Sequence, residues 1–226
     1  MTTTYRIGVA IFAIALALVG LVALALVWSG GWAYAALANL NGVRSVEFVG
    51  TGPTSLDMLL FYHRNWSDYV TGHSAFLTLG PLAGVFTADE FAHMEDVRSV
   101  FIGAQTGAVL ALGVVVFRLA RAGARGDALR LLRDGALVAA GLVALVGLTA
   151  LVAFDQLFLL FHEVFFPQGN FLFDPARSNL LRMYPEWYWQ GITAGVAVSF
   201  IALALLAALI SHSALRRRSN TYTRAA

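Results

Sequence analysis

The sequence predicts an all-α membrane protein, a bundle of four transmembrane helices with two long loops on one side. Three observations lead there. The chain is 59% hydrophobic and only 12% charged, a balance outside the range of soluble domains. Four apolar runs, at residues 7–28, 100–117, 135–154 and 191–211, come close to the ~20 residues that cross a bilayer. All 15 basic residues are arginines, and most gather at one set of run ends: Arg6, Arg118, Arg121, Arg125, Arg130, Arg133, Arg216, Arg217, Arg218 and Arg224, with five left in the two long loops. The acids concentrate in the two long loops, about 29–99 and 155–190. By the positive-inside rule both termini face the cytoplasm and the two loops face outward.

The whole chain, 1–226, reads as one integral membrane domain. The first run lacks a small-residue cleavage site after it and reads as a retained span. The basic tail fits an anchor on anionic lipid better than a nucleic-acid site. The chain has no cysteine, which excludes disulfides, a thiol nucleophile and thiolate metal sites.

In chain order, the first span ends at Trp28 and Trp32, tryptophans suited to headgroup level. Gly30-Gly31 and Asn39-Leu40-Asn41-Gly42 read as turns. Residues 43–49 alternate weakly and predict a short strand, with 74–79 as its partner in a small hairpin. Gly50-Thr51-Gly52-Pro53 reads as a turn between elements. Residues 54–70 predict an amphipathic helix capped by Thr54, with Leu56, Leu59, Leu60, His63, Trp66 and Val70 on one face. Thr87-Ala88-Asp89-Glu90 is a capping box, and a helix runs from it to about Arg118. The third span is expected to continue unbroken from Arg133 to Phe166, ending at Pro167. Asp174-Pro175 marks a turn. Trp187-Tyr188-Trp189 reads as an aromatic belt opening the fourth span.

The chemistry concentrates in two places. Phe154–Phe166 carries Asp155, His162 and Glu163 on an otherwise apolar helix. Asp155 and His162, seven apart, fall on one face, and polar groups at that depth normally face a protein interior. The second place is Asp89 to Asp96, where His93 and Asp96 are three apart on one face. A carboxylate beside an imidazole fixes its tautomer and raises its basicity. At 1.5 Å per residue, His93 lies ~37 Å from Arg118 and His162 ~43 Å from Arg133, so both reach the outer headgroup level. His63 and His73 read as packing or surface residues, His212 as a boundary residue. No serine-hydrolase elbow, zincin motif or phosphate-binding glycine loop is present. Two histidines and several carboxylates without a protein nucleophile suit acid–base work on a substrate that brings its own nucleophile, or a metal that makes one from water.

These residues resemble a known family. Glu90-Phe91 followed by His93-Met94-Glu95-Asp96-Val97 form one block. Phe154-Asp155, Phe158, Phe161-His162-Glu163-Val164-Phe165-Phe166, Asn170, Phe173-Asp174-Pro175, Leu180-Leu181 and Tyr184-Pro185 form the other. Together they are similar to the signature of the four-span bacterial lipoprotein intramolecular transacylases, with Phe171 where the family usually has tryptophan. The resemblance covers most of the chain. It implies an acyltransferase of the bacterial cytoplasmic membrane, with its active site facing outward and no cofactor or metal. The implied partners are membrane lipids and a lipoprotein whose N-terminal cysteine carries a diacylglyceryl group and a free amine. The implied reaction moves one glyceryl ester acyl chain onto that amine. The family's two essential histidines fall on His93 and His162. Asp96, Asp155, Glu163, Asn170 and Asp174 are the supporting candidates, Asp96 and Asp155 to orient the imidazoles and Asn170 to donate to an oxyanion. Two competing classes stay open. One is a metal-dependent outer-leaflet hydrolase with His93, Asp96 and His162 as ligands and Glu163 as base. The other is a non-enzymatic protein that binds lipid or a partner through its loops.

Overall fold

The computed structural model describes residues 3–74 and 79–225. Among the described residues four helices are long and apolar enough to cross a membrane: α1 (Thr3–Trp28), α5 (Ala88–Gly123), α6 (Ala128–Val152) and the first part of α9 (Glu186–Ala225). Helices α5 and α9 extend beyond their apolar runs at both ends, where polar turns continue the backbone ladder, while α1 and α6 extend only at their N-terminal ends and α6 stops short of Phe154. Between them lie α2 (Gly31–Leu40), β1 (Ser45–Phe48), β2 (Gly52–Ser55), α3 (Leu56–Val70), α4 (Leu79–Leu82), α7 (Phe154–Phe165) and α8 (Asn179–Met183). By contacts the chain forms two compact units. One comprises Met1–Leu24, Thr106–Thr149 and Val196–Ala226, the other Ala25–Gln105 and Ala150–Gly195.

The first unit is held by small side chains. Ala13 packs with Ala136, Ala139 and Ala140 of α6 and with Ala204 and Ala208 of α9. In lipid the hydrophobic effect does not drive helices together, so close backbone approach and dispersion must. Gly135 takes this furthest: a Cβ there would run into the ring of Phe12, which is fully buried. Val9, Ala15, Ala111, Val115 and Leu131 join α1, α5 and α6 in a second cluster around the same Phe12. Leu110, Leu145, Val198 and Leu209 stand exposed on these helices, as lipid-facing side chains do.

The second unit has an ordinary hydrophobic core around Tyr34, Leu59, Trp66 and Met183. The α3 stripe is as expected, with Leu59, His63, Trp66 and Val70 buried and Tyr62 added to it. His63 is sealed in. Its Nε2 lies 3.0 Å from the Ser29 carbonyl and so must donate, which leaves Nδ1 to accept from the Tyr184 hydroxyl at 3.0 Å. Asn179 stitches three segments at once. Its amide donates to the carbonyls of Val49 and Val85, and its oxygen accepts from the Val49 amide. A buried side-chain amide needs such partners to offset its desolvation.

Several expectations are corrected. The segment opening at Gly30-Gly31 is a helix, α2, whose alanines favour that conformation. Strand β1 pairs antiparallel with β2, Ser45 opposite Ser55 and Phe48 opposite Gly52, and not with 74–79. Gly50 at φ +83° allows the reversal. Residues 75–78 of the expected partner lie outside the described residues, and Leu79 opens α4. Ser55, not Thr54, caps α3, its Oγ accepting from the Met58 amide at 3.4 Å. The third span does not run on to Phe166. It breaks at Ala153 (φ −141°, ψ 41°), and α7 is a separate helix, so a depth extrapolated from Arg133 does not apply to His162. No proline or glycine marks that break. Tyr188 is core, 5% exposed, and not part of a lipid-facing belt.

Candidate active site

Helix α5 begins with the expected capping box. The Glu90 carboxylate accepts from the Thr87 amide at 2.7 Å, and the Thr87 hydroxyl accepts from the Glu90 amide at 3.3 Å. One turn on, His93 points into the second unit and is 7% exposed. His162 sits in the last turn of α7, half-buried. The two imidazoles face each other nearly parallel, ring centres 6.2 Å apart. Two histidines nearly 70 positions apart in the chain thus share one site.

Rings surround the pair. Phe166 contacts both imidazoles, with centres 4.8 Å from His93 and 5.4 Å from His162. Phe173 meets His93 edge-on at 5.5 Å. Phe158 and Phe171 flank His162 at 4.2 and 5.1 Å. Phe171 thus contributes an aromatic wall to His162.

His162 Nδ1 lies 2.7 Å from the Phe158 carbonyl, one turn back in its own helix. A carbonyl only accepts, so Nδ1 carries the proton and Nε2 keeps its lone pair. Burial pushes the His162 imidazole below its ordinary value, opposed by that same hydrogen bond. The ring is therefore neutral near neutrality. His93 differs: its Nδ1 is buried without a hydrogen-bond partner. Asn170, His162 and Asp96 are the polar side chains that act on it.

The supporting residues divide. Asp96 Oδ2 accepts from the amide groups of Asn170 and, at 2.8 Å, Gln168. Asn170 therefore stands between Asp96 and the imidazole, so the expected direct orienting bond is not made. That bond also occupies one of the N–H groups expected to serve an oxyanion. Asp155 is exposed in the first turn of α7 and does not orient His162; the helix's own carbonyl does. The shared face predicted by spacing is outcompeted by a nearer acceptor. Glu163 is exposed. Asp174 builds the turn before α8, its Oδ1 accepting from the Ala176 amide at 2.9 Å. Among the described residues no three of His, Asp and Glu gather where they could hold a metal ion. His93, Asp96 and His162 therefore do not form the ligand set that the hydrolase reading requires.

Sequence reading missed the aromatic wall, Gln168, and the buried partners of Glu90. Phe158 could not be told from a lipid-facing phenylalanine, since no spacing rule separates the two in an apolar helix, and Phe166, Phe171 and Phe173 lie in a segment without helix or strand, where no periodicity assigns a face.

The profile of the family described as lipoprotein intramolecular transacylase Lit matches residues 7–189. The chain belongs to the lipoprotein intramolecular transacylase family. That is an acyltransferase family, and with its four apolar helices this member is a multi-pass bacterial membrane protein. Among solved structures the chain is similar to the membrane-integral lipoprotein intramolecular transacylase Lit of Bacillus cereus, with 16% identity, a TM-score of 0.72, and 98% of each chain covered. Two further structures of that transacylase carry a histidine replaced by arginine or by alanine. They match at 14% identity with TM-scores of 0.72 and 0.73, covering 96% and 95% of this chain and 94% of theirs. At these identities the likeness shows the fold. No match is found among curated proteins.

Proposed function

We propose that this transacylase moves an acyl chain from the diacylglyceryl group of a lipoprotein to the α-amino group of the lipoprotein's N-terminal cysteine. The product is an N-acyl, lyso-glyceryl lipoprotein. The observation that carries the reading is the facing pair of His93 and His162, ring centres 6.2 Å apart in an aromatic-walled site. Family membership supports the reaction class. The site supplies acid–base groups and no nucleophile, which is what this reaction asks for: the amine is the nucleophile.

The α-amino group has an ordinary pKa of about 8 and must lose a proton to attack. His162 takes it through Nε2, because Nδ1 is committed to Phe158. The amine nitrogen attacks the ester carbonyl, the acyl–oxygen bond breaks, and the amide forms. The nitrogen sheds a second proton as the amide forms, and the leaving glyceryl oxygen takes that proton up on the His93 side, beside Asn170, so only the proton first held by His162 passes on to solvent. Donor and acceptor belong to one molecule, so positioning removes much of the entropic barrier. The aromatic wall excludes water, which would divert the ester to hydrolysis. The arginine distribution supports cytoplasmic termini and an outward-facing site.

The test is a co-expressed lipoprotein in a host without other N-acylation, read by mass spectrometry of its N-terminal lipopeptide. The wild-type chain yields the N-acyl lyso form. His162→Gln and His93→Gln lower it by about a hundredfold or more, the usual cost of losing an acid–base group. Wild-type product levels from either variant would overturn the role of that histidine.

A further inference from the structure

The Glu90 carboxylate is fully buried, 0% exposed, and among the described residues no cation is bonded to it. Its Oε2 accepts from the Thr87 amide at 2.7 Å. Its Oε1 accepts from the Ser178 hydroxyl at 2.6 Å and the Leu180 amide at 2.7 Å. A capping box accounts for the first bond only. The other two reach about ninety residues along the chain, to the start of α8. Between α7 and that point runs the segment 166–178, and it carries Phe166, Asn170 and Phe173, all neighbours of His93. Glu90 itself lies one turn before His93 on the same side of α5.

We propose that Glu90 is a positioning residue for the histidine pair, tethering the far end of segment 166–178 to the helix that bears His93. The inference rests on the transacylase reading and adds to it the residue that sets the site's geometry. Segment 166–178 contains no helix or strand. It is fixed at one end by α7 and at the other by this carboxylate. Every partner of Glu90 is a donor, so both oxygens must accept. A glutamine at this position keeps the shape but turns an N–H₂ group toward donors. It unties either the capping-box side or the α8 side. The histidines, their rings and Asp96 stay in the chain, and only the segment's registration against His93 loosens.

The experiment compares wild type, Glu90→Gln and Ser178→Ala as purified full-length protein in detergent micelles, with a synthetic diacylglyceryl lipopeptide. Turnover and amide hydrogen exchange are both measured. In Glu90→Gln, kcat falls roughly ten- to a hundredfold, as mispositioning does, while KM changes little. Exchange rises in 166–178 and stays unchanged in α1 and α6. Ser178→Ala removes one donor to Glu90 together with the hydroxyl's cap on the Leu181 amide, and gives a smaller fall of the same kind; it also serves if Glu90→Gln does not fold. A wild-type kcat in both variants overturns the proposal. So does exchange that rises evenly along the chain in step with activity, which marks a merely structural residue. Should the wild type make no N-acyl product, the functional reading falls. Exchange then decides the tether alone: a rise confined to 166–178 upholds it, and no rise overturns it.

Discussion

His63 and His162 show how one residue type is put to two uses by its partners. His162 has one nitrogen tied to a carbonyl and the other left to the site. His63 has both nitrogens satisfied, by Ser29 and Tyr184, and it is 2% exposed. Burial lowers its pKa to about 4. The folded ring stays neutral while an unfolded one, with an ordinary value near 6.5, gains a proton. Stability is therefore complete above pH 6.5 and declines as pH falls toward 4, where the loss levels off. The difference amounts to roughly 3 kcal/mol at the acid limit. Thermal melts in detergent from pH 7 to pH 4 should show this decline. In His63→Gln the melting temperature is lower throughout, but its slope over that pH window flattens. An unchanged slope would show that other groups carry the acid sensitivity. The sequence placed His63 correctly on the buried face of α3, because helical spacing is a strong signal. It could not distinguish Asp155 from Phe158 as the partner of His162, since a main-chain carbonyl has no signature in residue types.

Helices are legible where the apolar spacing is strong, as in α3, and where a capping box opens them, as at the start of α5. They were read badly where a conformation ignores residue type. Alanine at 153 favours helix, yet the backbone leaves helix there. The weak alternation of 43–49 marks strand β1, but its partner β2 is hidden in the sequence, because Gly52-Pro53 carries turn chemistry. The packing of α1, α5, α6 and α9 followed from small residues that composition alone records as hydrophobic. Gly135 is the sharpest case, and it makes a prediction at this scale. Gly135→Val forces the α6 backbone away from Phe12. Overpacking of this kind costs ~1–3 kcal/mol. The melting temperature should fall by several degrees, while Gly141→Val, whose Cβ meets nothing within 4 Å, leaves it nearly unchanged. Equal melting temperatures for the two variants would refute the close approach.

For the molecule as a whole, the absence of cysteine makes orientation directly measurable. Single cysteines at Asn41 and at Arg125 should separate cleanly with a membrane-impermeant maleimide applied to intact cells. The first is labelled, and the second only after the membrane is opened. The reverse pattern would invert the proposed topology.

The bonds from Glu90 to Ser178 and Leu180 also have a consequence in time. The glutamate leaves the ribosome 88 residues before its serine partner does. At synthesis rates of 5–20 residues per second, that interval is on the order of ten seconds. Throughout it, a carboxylate destined for a dry interior has half of its acceptors unanswered. The nascent first loop must therefore stay hydrated, or be sheltered by the insertion machinery, until the second emerges and closes over it.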